Sequence, residues 1–392
     1  LYGSSLADLP TGLGLGYYIT NIPNPDLKWE ETRQTNLGLD FTLFNGRFNA
    51  TVEVYNKTSK DFLYQLPLPI YLTGPSGGEG YLAGIGAPFV NLGEMNNKGI
   101  DISIGYSTLK TNNFSWTSGF NISHYRNEVT NLYQESLEVI RSVTSGFLSS
   151  PITRTVQGEP IGKFWGYRVR GIFDDVAEFN TAPIQFGIPY SENLGDNYLG
   201  DIQYEDINGD GEITEADRTY IGNPHPDFTF GFSNTFSYQS FDLSIFLQGS
   251  YGNDILNLTR KETTGLSRLY TNQLELAQDY WTPDNTDATL PRPRRGDDNQ
   301  NLFISDRYVE DGSYLRIQNI TFGYNLPREV LEKLHISRLQ LYGSIQNVYT
   351  FTDYSGYDPE IGSFNGDALQ MGVDRGRYPV PRTFTLGINA EF

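Results

Sequence analysis

One stretch of the chain places oxygen-bearing side chains at the spacing of a calcium loop. Counted from Asp206, positions 1, 3, 5, 7 and 12 are Asp206, Asn208, Asp210, Glu212 and Asp217. EF-hand loops ligate Ca²⁺ with oxygens at these positions, use the backbone carbonyl at position 7 and turn at a glycine in position 6. Asp at position 12 reaches less far than the usual Glu, so bidentate ligation is less secure. The loop 206–217 is therefore a candidate Ca²⁺ site, and the alternative is an Asx-rich loop braced by its own hydrogen bonds.

The rest of the sequence carries little catalytic chemistry. It has no Cys, which excludes thiol catalysis, iron–sulfur clusters and Cys-ligated zinc. Its histidines, His124, His225 and His335, lie far apart, and no nucleophile–base pair is apparent. The 28 Lys and Arg against 47 Asp and Glu give a formal charge of −19, and so acidic a chain lacks the basic face that binds nucleic acid. We therefore expect no enzyme, no nucleic-acid partner and no required cofactor.

Aromatic residues are frequent in the segments that separate the predicted strands. Candidates for contact with a sugar ring, a peptide or a partner protein are Tyr71, Tyr81, Phe89, Tyr354, Tyr357 and Phe364. Internal packing of long loops would employ the same residues, so both interpretations stay open.

The only dense basic run is residues 291–295, with the sequence PRPRR. Acidic residues flank it on both sides, so we expect a solvated loop. Contact with an anionic lipid head group or with a partner is the alternative.

The elements that would position these loops show an alternation of period two. Apolar residues occupy every second position in residues 37–43, with polar or small residues between them, which is typical of a strand. Asn45-Gly46 favours a hairpin turn, after which the alternation resumes in residues 48–54. The pattern recurs in residues 100–106, 114–122, 228–238, 241–247, 339–345 and 384–392.

The lengths of strands and connections favour a membrane β-barrel. Many strands span about ten residues, which is roughly twice the usual length and enough for a tilted strand to cross a bilayer. Short turns at 45–47, 110–113 and 239–240 alternate with long connections at 63–93, 174–227, 252–305 and 352–379. Outer-membrane barrels have short turns on one side and long extracellular loops on the other. The prediction is all-β: a transmembrane antiparallel β-barrel with long extracellular loops.

The alternation of short and long connections also predicts a strand number. Ten evident strands break the alternation between residues 122 and 164, and a further strand at 147–156, followed by a turn at 158–160, restores it. The prediction is about eleven strands. A slip of parity between Ile317 and Ile320 predicts a β-bulge near Asn319.

Several separated stretches resemble the SusC/RagA class of TonB-dependent outer-membrane transporters of Bacteroidetes. They are residues 24–30 (NPDLKWE), 158–167 (GEPIGKFWGY), 200–218 (GDIQYEDINGDGEITEADR), 221–228 (IGNPHPDF), 310–316 (EDGSYLR), 323–327 (GYNLP) and 355–360 (SGYDPE), with a terminal Phe392. Spread in order over nearly the whole chain, they make a specific signal.

The resemblance implies both an architecture and an activity. Residues 1–392 would form the C-terminal half of a single plugged barrel of about 22 strands, with the N-terminal plug and the early strands absent from this chain. The implied activity is import of a nutrient, a glycan or a peptide oligomer, across the outer membrane with a SusD-like lipoprotein as lid. TonB would act through the missing N-terminal part, the barrel-assembly machinery would recognise Phe392, and the apolar parity would face outer-membrane lipid.

Two other functions stay open at this point. The first is a receptor or structural barrel that serves another outer-membrane complex without importing anything. The second is a secreted, soluble glycan-binding β-protein that binds through the aromatic loops. A soluble β-sandwich also alternates, but its strands are shorter and its connections more even.

Overall fold

The computed structural model describes residues 4–8, 15–19, 23–65, 88–108, 113–132, 138–145, 148–193, 196–267, 272–294 and 300–391. The strands, in chain order, are β1 (Ser4–Asp8), β2 (Leu15–Ile19), β3 (Glu31–Leu43), β4 (Phe48–Lys60), β5 (Leu63–Gln65), β6 (Phe89–Asn91), β7 (Gly93–Ser107), β8 (Phe114–Leu132), β9 (Val139–Ser145), β10 (Leu148–Thr155), β11 (Lys163–Gly166), β12 (Val169–Ile172), β13 (Ile184–Gln185), β14 (Ile202–Tyr204), β15 (Glu212–Ile213), β16 (Thr219–Gly222), β17 (Phe228–Tyr238), β18 (Phe241–Tyr251), β19 (Asp254–Asn257), β20 (Val309–Asp311), β21 (Tyr314–Asn325), β22 (Arg338–Thr352), β23 (Val373–Asp374) and β24 (Thr383–Glu391).

Helical structure is sparse. The α-helices are α1 (Leu258–Thr264) and α2 (Arg328–Leu334), and the 3-10 helices are Val176–Asn180, Glu215–Asp217, Glu275–Gln278, Asp306–Tyr308, Phe364–Gly366 and Ala368–Gln370. Within the described ranges no helix has the length and apolar character needed to span a membrane.

Nine long strands form one antiparallel sheet, which we call the wall. Its order is β3-β4-β7-β8-β17-β18-β21-β22-β24. Each strand of the wall therefore pairs with the strand of the wall that follows it in the chain. This is an up-and-down meander, and in the described part of the chain β3 and β24 are its two edges. The predicted antiparallel architecture is confirmed, while closure of the sheet is not part of the observed pairing.

Local features of the wall also match the sequence. Asn45 and Gly46 have φ of 57° and 82° in the turn between β3 and β4, which is the left-handed backbone that a tight hairpin requires. The pairing of β21 with β22 shifts register between Ile317 and Asn319, and the predicted bulge is therefore confirmed.

The connections separate the two ends of the wall. Residues 44–47, 108–113, 239–240 and 326–337 join neighbouring strands at one end, whereas residues 61–92, 133–227, 252–313 and 353–382 join them at the other. We call the four long connections together the loop body. The predicted asymmetry between short turns and long loops is thus present.

The predicted strand number needs correction, because the described part of the wall has nine strands and not eleven. A strand does form at Leu148–Thr155, but it pairs with β9 and β11 in a separate four-stranded sheet of order β16-β11-β10-β9. Lys163–Gly166 lies in this sheet as well, and β1 and β2 form a sheet of their own. One connection of the loop body, residues 133–227, therefore contains strands that the sequence assigned to the barrel.

The two faces of the wall differ in chemistry. Apolar side chains of one parity stay exposed, including Leu37 at 78%, Phe322 at 51% and Leu386 at 90%. The other parity carries polar side chains that bond across strands: the Thr51 hydroxyl donates to Asp40 at 2.6 Å, and the Thr321 hydroxyl to Ser344 at 2.9 Å. We call these the outward and inward faces.

The apolar core lies in the loop body. One cluster combines three connections and contains Ile152, Phe164, Leu256, Leu258, Ile304, Tyr308 and Val373. A second joins the end of β8 to the loops through Leu92, Val129, Leu132, Val139 and Leu369, and a third contains Tyr167, Ile202, Tyr204 and Ile213. The long connections are therefore packed against one another.

Candidate functional site

The loop 206–217 is built around Asp206. One carboxylate oxygen of Asp206 accepts the Gly209 amide at 2.7 Å, and the other accepts the Gly211 amide at 2.8 Å. These backbone donors, the Gly211 amide above all, lower the pKa of Asp206 below its ordinary value, because they stabilise the ionised form. Asp206 is thus a charged acceptor at neutral pH.

The middle of the loop is braced by Asx turns. The Asn208 side-chain oxygen accepts the Asp210 amide at 2.8 Å, and Asp210 accepts the Glu212 amide at 2.9 Å. The Asn208 amide also donates to Asp210 at 2.9 Å. Each of these contacts employs an oxygen that a calcium loop would turn towards the ion.

Asp217, at position 12, closes the loop. It is fully buried, accepts the Ile207 amide at 3.0 Å and the Thr214 amide at 2.7 Å, and forms a capping box with Thr214. Within the described ranges no group of three His, Cys, Asp or Glu side chains is arranged to hold a metal ion. This geometry matches the hydrogen-bonded alternative, and occupancy by Ca²⁺ stays a prediction.

A cation fixes the loop to the aromatic core beside it. The Arg218 guanidinium lies 4.5 Å from the centre of the buried Tyr167 ring and forms an ion pair with Glu215. The hydrogen bond that Arg218 donates to Glu215 lowers the pKa of this carboxyl below its ordinary value, because it stabilises the ionised form. Because Tyr167 belongs to the third core cluster, this contact attaches the loop 206–217 to the core of the loop body.

The aromatic candidates have different environments. Tyr357 is 75% exposed and Phe89 45%, so both rings are available for contact. Tyr354 is only 5% exposed, and its hydroxyl donates to Asp374 at 2.5 Å, which matches the alternative of internal packing. Tyr71, Tyr81 and Phe392 lie outside the described residues.

Phe364 lines a cavity that the sequence did not reveal. The cavity has a volume of about 340 Å³ and is lined by residues 361–365 and 373–377. The Arg375 guanidinium lies 4.2 Å from the centre of the Phe364 ring. The Asp374 carboxylate accepts hydrogen bonds from the Tyr354 hydroxyl and from the backbone amides of Gly376 and Arg377. Arg375 and Arg377 lie two residues apart in an acidic chain, and this local concentration of positive charge is the signal in the sequence that marks the cavity.

A buried ion pair attaches this connection to the wall. Arg316 of β21 is 4% exposed and donates to Asp358, 3% exposed, at 2.6 Å and to Glu360 at 2.9 Å. The exposed Tyr357 therefore lies next to Asp358, which the ion pair with Arg316 attaches to the wall.

The basic run has an internal role. Arg292 donates to both carboxylate oxygens of the fully buried Asp201, at 2.7 and 2.5 Å, and Arg294 donates to the Asp196 carbonyl at 3.1 Å. Asn301 also donates to Asp201, at 3.0 Å. The described part of the run thus braces the loop body, which is neither the solvated loop nor the lipid contact that the sequence suggested.

Comparison with known proteins bears on the whole arrangement. The sequence profile of the family described as TonB dependent receptor-like, beta-barrel matches residues 1–138. TonB-dependent receptor P3 of Formosa agariphila is 37% identical over 96% of this chain and 36% of its own length. TonB-dependent receptor SusC of Bacteroides thetaiotaomicron is 28% identical over 96% of this chain and 34% of its own length. The chain is a β-barrel portion of a TonB-dependent receptor related to SusC.

Solved structures support the same fold for this receptor portion. The match to the RagAB peptide transporter covers all of this chain and 38% of the solved chain, with a TM-score of 0.76 and 22% sequence identity. The RagAB peptide importer in the closed-closed state matches with a TM-score of 0.74 and 23% identity. The receptor portion spans just over a third of the length of these relatives, and it corresponds to their C-terminal part. The transporters of this family are generally not enzymes.

Proposed function

We propose that the protein containing this chain is an outer-membrane, TonB-dependent active importer of a nutrient oligomer. The observation that carries the proposal is the outward face of the wall in a chain related to SusC. This face carries an apolar parity across consecutive strands, and many of its side chains are exposed. In water this surface would favour aggregation. In a bilayer it is the lipid-facing side of a barrel.

The loop body supports an extracellular mouth. All four long connections emerge at one end of the wall, and barrels of the outer membrane place their long loops outside the cell. The inward face carries Thr, Ser, Asn and Asp, which suits a wet lumen filled by a plug. TonB would act on the N-terminal part of the receptor, and no covalent chemistry is assigned to this chain.

A SusD-like surface lipoprotein is the proposed partner at the mouth. The matched solved structures are described as a peptide transporter and importer named RagAB. Tyr357 and Phe89 are the exposed aromatic candidates for contact with the cargo or the lid. The cargo class stays a glycan or a peptide oligomer.

Uptake by cells tests the proposal. Labelled oligopeptides and oligosaccharides are offered to wild-type cells, to cells lacking the receptor gene and to wild-type cells whose proton gradient is collapsed by an uncoupler. We expect one labelled class to enter only wild-type, energised cells. Equal uptake in all three samples would reject import and leave a receptor or structural barrel.

The soluble glycan-binding alternative is tested separately by extraction. A soluble protein would bury the parity that contains Leu37 and Leu386, whereas both are exposed here. We expect the protein to require detergent for extraction and to migrate differently in a gel before and after heating. Release into buffer without detergent would favour the alternative.

The proposal for Ca²⁺ is limited to the loop 206–217. Its spacing fits the ion, but the side chains of Asp206, Asn208, Asp210 and Asp217 already accept backbone amides. We therefore propose that the loop folds without Ca²⁺ and that any bound ion is an addition.

A further inference from the structure

The register of the wall shows where the apolar part of the outward face ends. On β7 and β8, Ile100 lies opposite His124, and in the next row towards the loop body Lys98 lies opposite Arg126. On β4 the corresponding residues are Val54, opposite Ile100, and Asn56, opposite Lys98. Side chains two residues apart share a face, so Lys98 and Arg126 face outward directly beyond the last apolar row.

The position of this row matches a membrane interface. On β8 the outward parity runs from Phe114 to His124, and eleven residues at about 3.3 Å each, tilted by about 40°, span roughly 28 Å. The apolar band of an outer-membrane barrel is about 25 Å tall. Lys98 and Arg126 therefore lie at the level of the lipid head groups on the side of the long loops.

Both cations lack an acidic partner in the described part of the chain. Like charges directly opposite each other on neighbouring strands are destabilising, and neither Lys98 nor Arg126 forms an ion pair there. Glu94, on the same face, is paired with Lys60 at 2.8 Å. Glu128 shares the face but lies one row farther from the apolar band. On the side towards the apolar band, the pair is thus arranged to receive an anion from outside the chain.

A cavity of about 670 Å³ lies over these side chains. Val54 and Ile100 line its part next to the apolar band, Lys98 and Arg126 line the part beyond, and Pro160 of the loop body lines it as well. Glu128 also lines the cavity, at its end farthest from the apolar band. One cavity therefore combines an apolar surface with two cations that lie between that surface and Glu128, and an amphiphile with an anionic head requires such cations next to an apolar surface.

We propose that this cavity binds the phosphate of an anionic lipid in the outer leaflet, with the phosphate at Lys98 and Arg126 and an acyl chain along Val54 and Ile100. The inference rests on the proposed membrane location of the wall. It assigns lipid binding to Lys98 of β7 and Arg126 of β8. It does not assign lipid binding to the basic run 291–295, because Arg292 of that run donates to both carboxylate oxygens of Asp201.

The test is native mass spectrometry of the receptor, expressed in full and reconstituted in nanodiscs of phosphatidylcholine with increasing phosphatidylglycerol. Compared with wild type, K98Q and R126Q should each weaken retention of phosphatidylglycerol about fivefold, and the double variant about 25-fold, since each surface cation contributes on the order of 1 kcal/mol to anionic lipid binding. Lys57→Gln is the matched control, because it removes the same charge from the inward face of β4, where Lys57 lies opposite Asn97.

The outcomes separate this inference from the proposed function. Retention that is equal in wild type and the double variant, in receptor that has inserted into the nanodisc, would overturn the lipid site alone. Equal loss in K57Q would overturn it too, because it would indicate a nonspecific charge effect. Failure of the wild-type receptor to insert at all would overturn both the membrane location and the lipid site.

Discussion

In the wall many large apolar side chains are exposed, whereas in the loop body large apolar side chains form the buried clusters. Leu37 and Leu386 of the wall are 78% and 90% exposed, while Phe164 and Ile304 of the loop body are at most 1% exposed. The buried side chains of the wall include polar ones, such as Asn234 and Arg316. The difference indicates that one chain is folded for two surroundings.

The two regions are consequently stabilised by different forces. Burial of a Phe or Ile side chain contributes about 1.5–3 kcal/mol each, so the loop body has the core of a water-soluble domain. The wall gains from its continuous ladder of backbone hydrogen bonds, which become strong where water is absent. Its apolar residues contribute only when lipid surrounds them.

The largest expected effect is in the core of the loop body. Phe164→Ala should lower the free energy of unfolding of the loop body by about 3–5 kcal/mol, because the buried ring leaves a cavity. Leu386→Ala on the outward face is the control and should cost much less, because lipid or detergent fills the space. Both variants are titrated with urea in detergent, and unfolding of the loop body is read from the loss of protease resistance of the loops. Equal losses of unfolding free energy in the two variants would contradict the distinction between wall and loop body.

The junction between the regions depends on Arg316. Arg316→Ala leaves the buried Asp358 without its cation, and removal of one partner of a buried ion pair typically costs about 3–5 kcal/mol. The same titration should show the loss, while Arg328→Ala, whose ion pair with Glu332 is exposed, should change little. An R316A protein with unchanged unfolding would show that the loop body does not depend on this attachment.

A charge on the outward face tests the wall directly. Leu39→Arg should destabilise the receptor in lipid vesicles by about 2–4 kcal/mol, because Leu39 lies within the apolar band. Gly38→Arg is the neighbouring control on the inward face, where a Cβ would meet nothing within 4 Å. If G38R were the more damaging variant, the assignment of the faces would be reversed.

The smallest effect is expected in the loop 206–217. Since the folded pKa of Asp206 is lowered, its stabilising contribution is present above its ordinary value of 3.8 and is lost as the pH falls through the lowered value. Hydrogen exchange at the Gly209 and Gly211 amides, corrected for the intrinsic rate, should therefore lose protection only in acid. Asp206→Ala should lose it at neutral pH as well.

The same amides report on Ca²⁺. A chelator should leave their protection at neutral pH unchanged, because Asp206 and Asp217 already close the loop through backbone donors. Loss of protection on chelation, reversed by added Ca²⁺, would show instead that the ion holds the loop.

The sequence predicted what depends on neighbours along the chain, and missed what depends on pairing. Alternation, the Asn45-Gly46 turn and the bulge near Asn319 are local, and all were recovered. Leu148–Thr155 was recognised as a strand but assigned to the wrong sheet, because its partners β9 and β11 are selected by the buried cluster around Phe164. The pair of Lys98 and Arg126 was missed for the same reason, since only the register of β7 with β8 brings them together.

The central claim is that the two parities of the wall face different surroundings. A spin label can be attached to single cysteines at positions 100–105 of β7 in the receptor reconstituted in lipid. This chain has no Cys that would compete for the label, and any Cys elsewhere in the receptor is first replaced by Ser. Accessibility to oxygen should be high at 100, 102 and 104, and accessibility to a polar nickel compound should be high at 101, 103 and 105. Uniform values, or the opposite alternation, would contradict a lipid-facing wall.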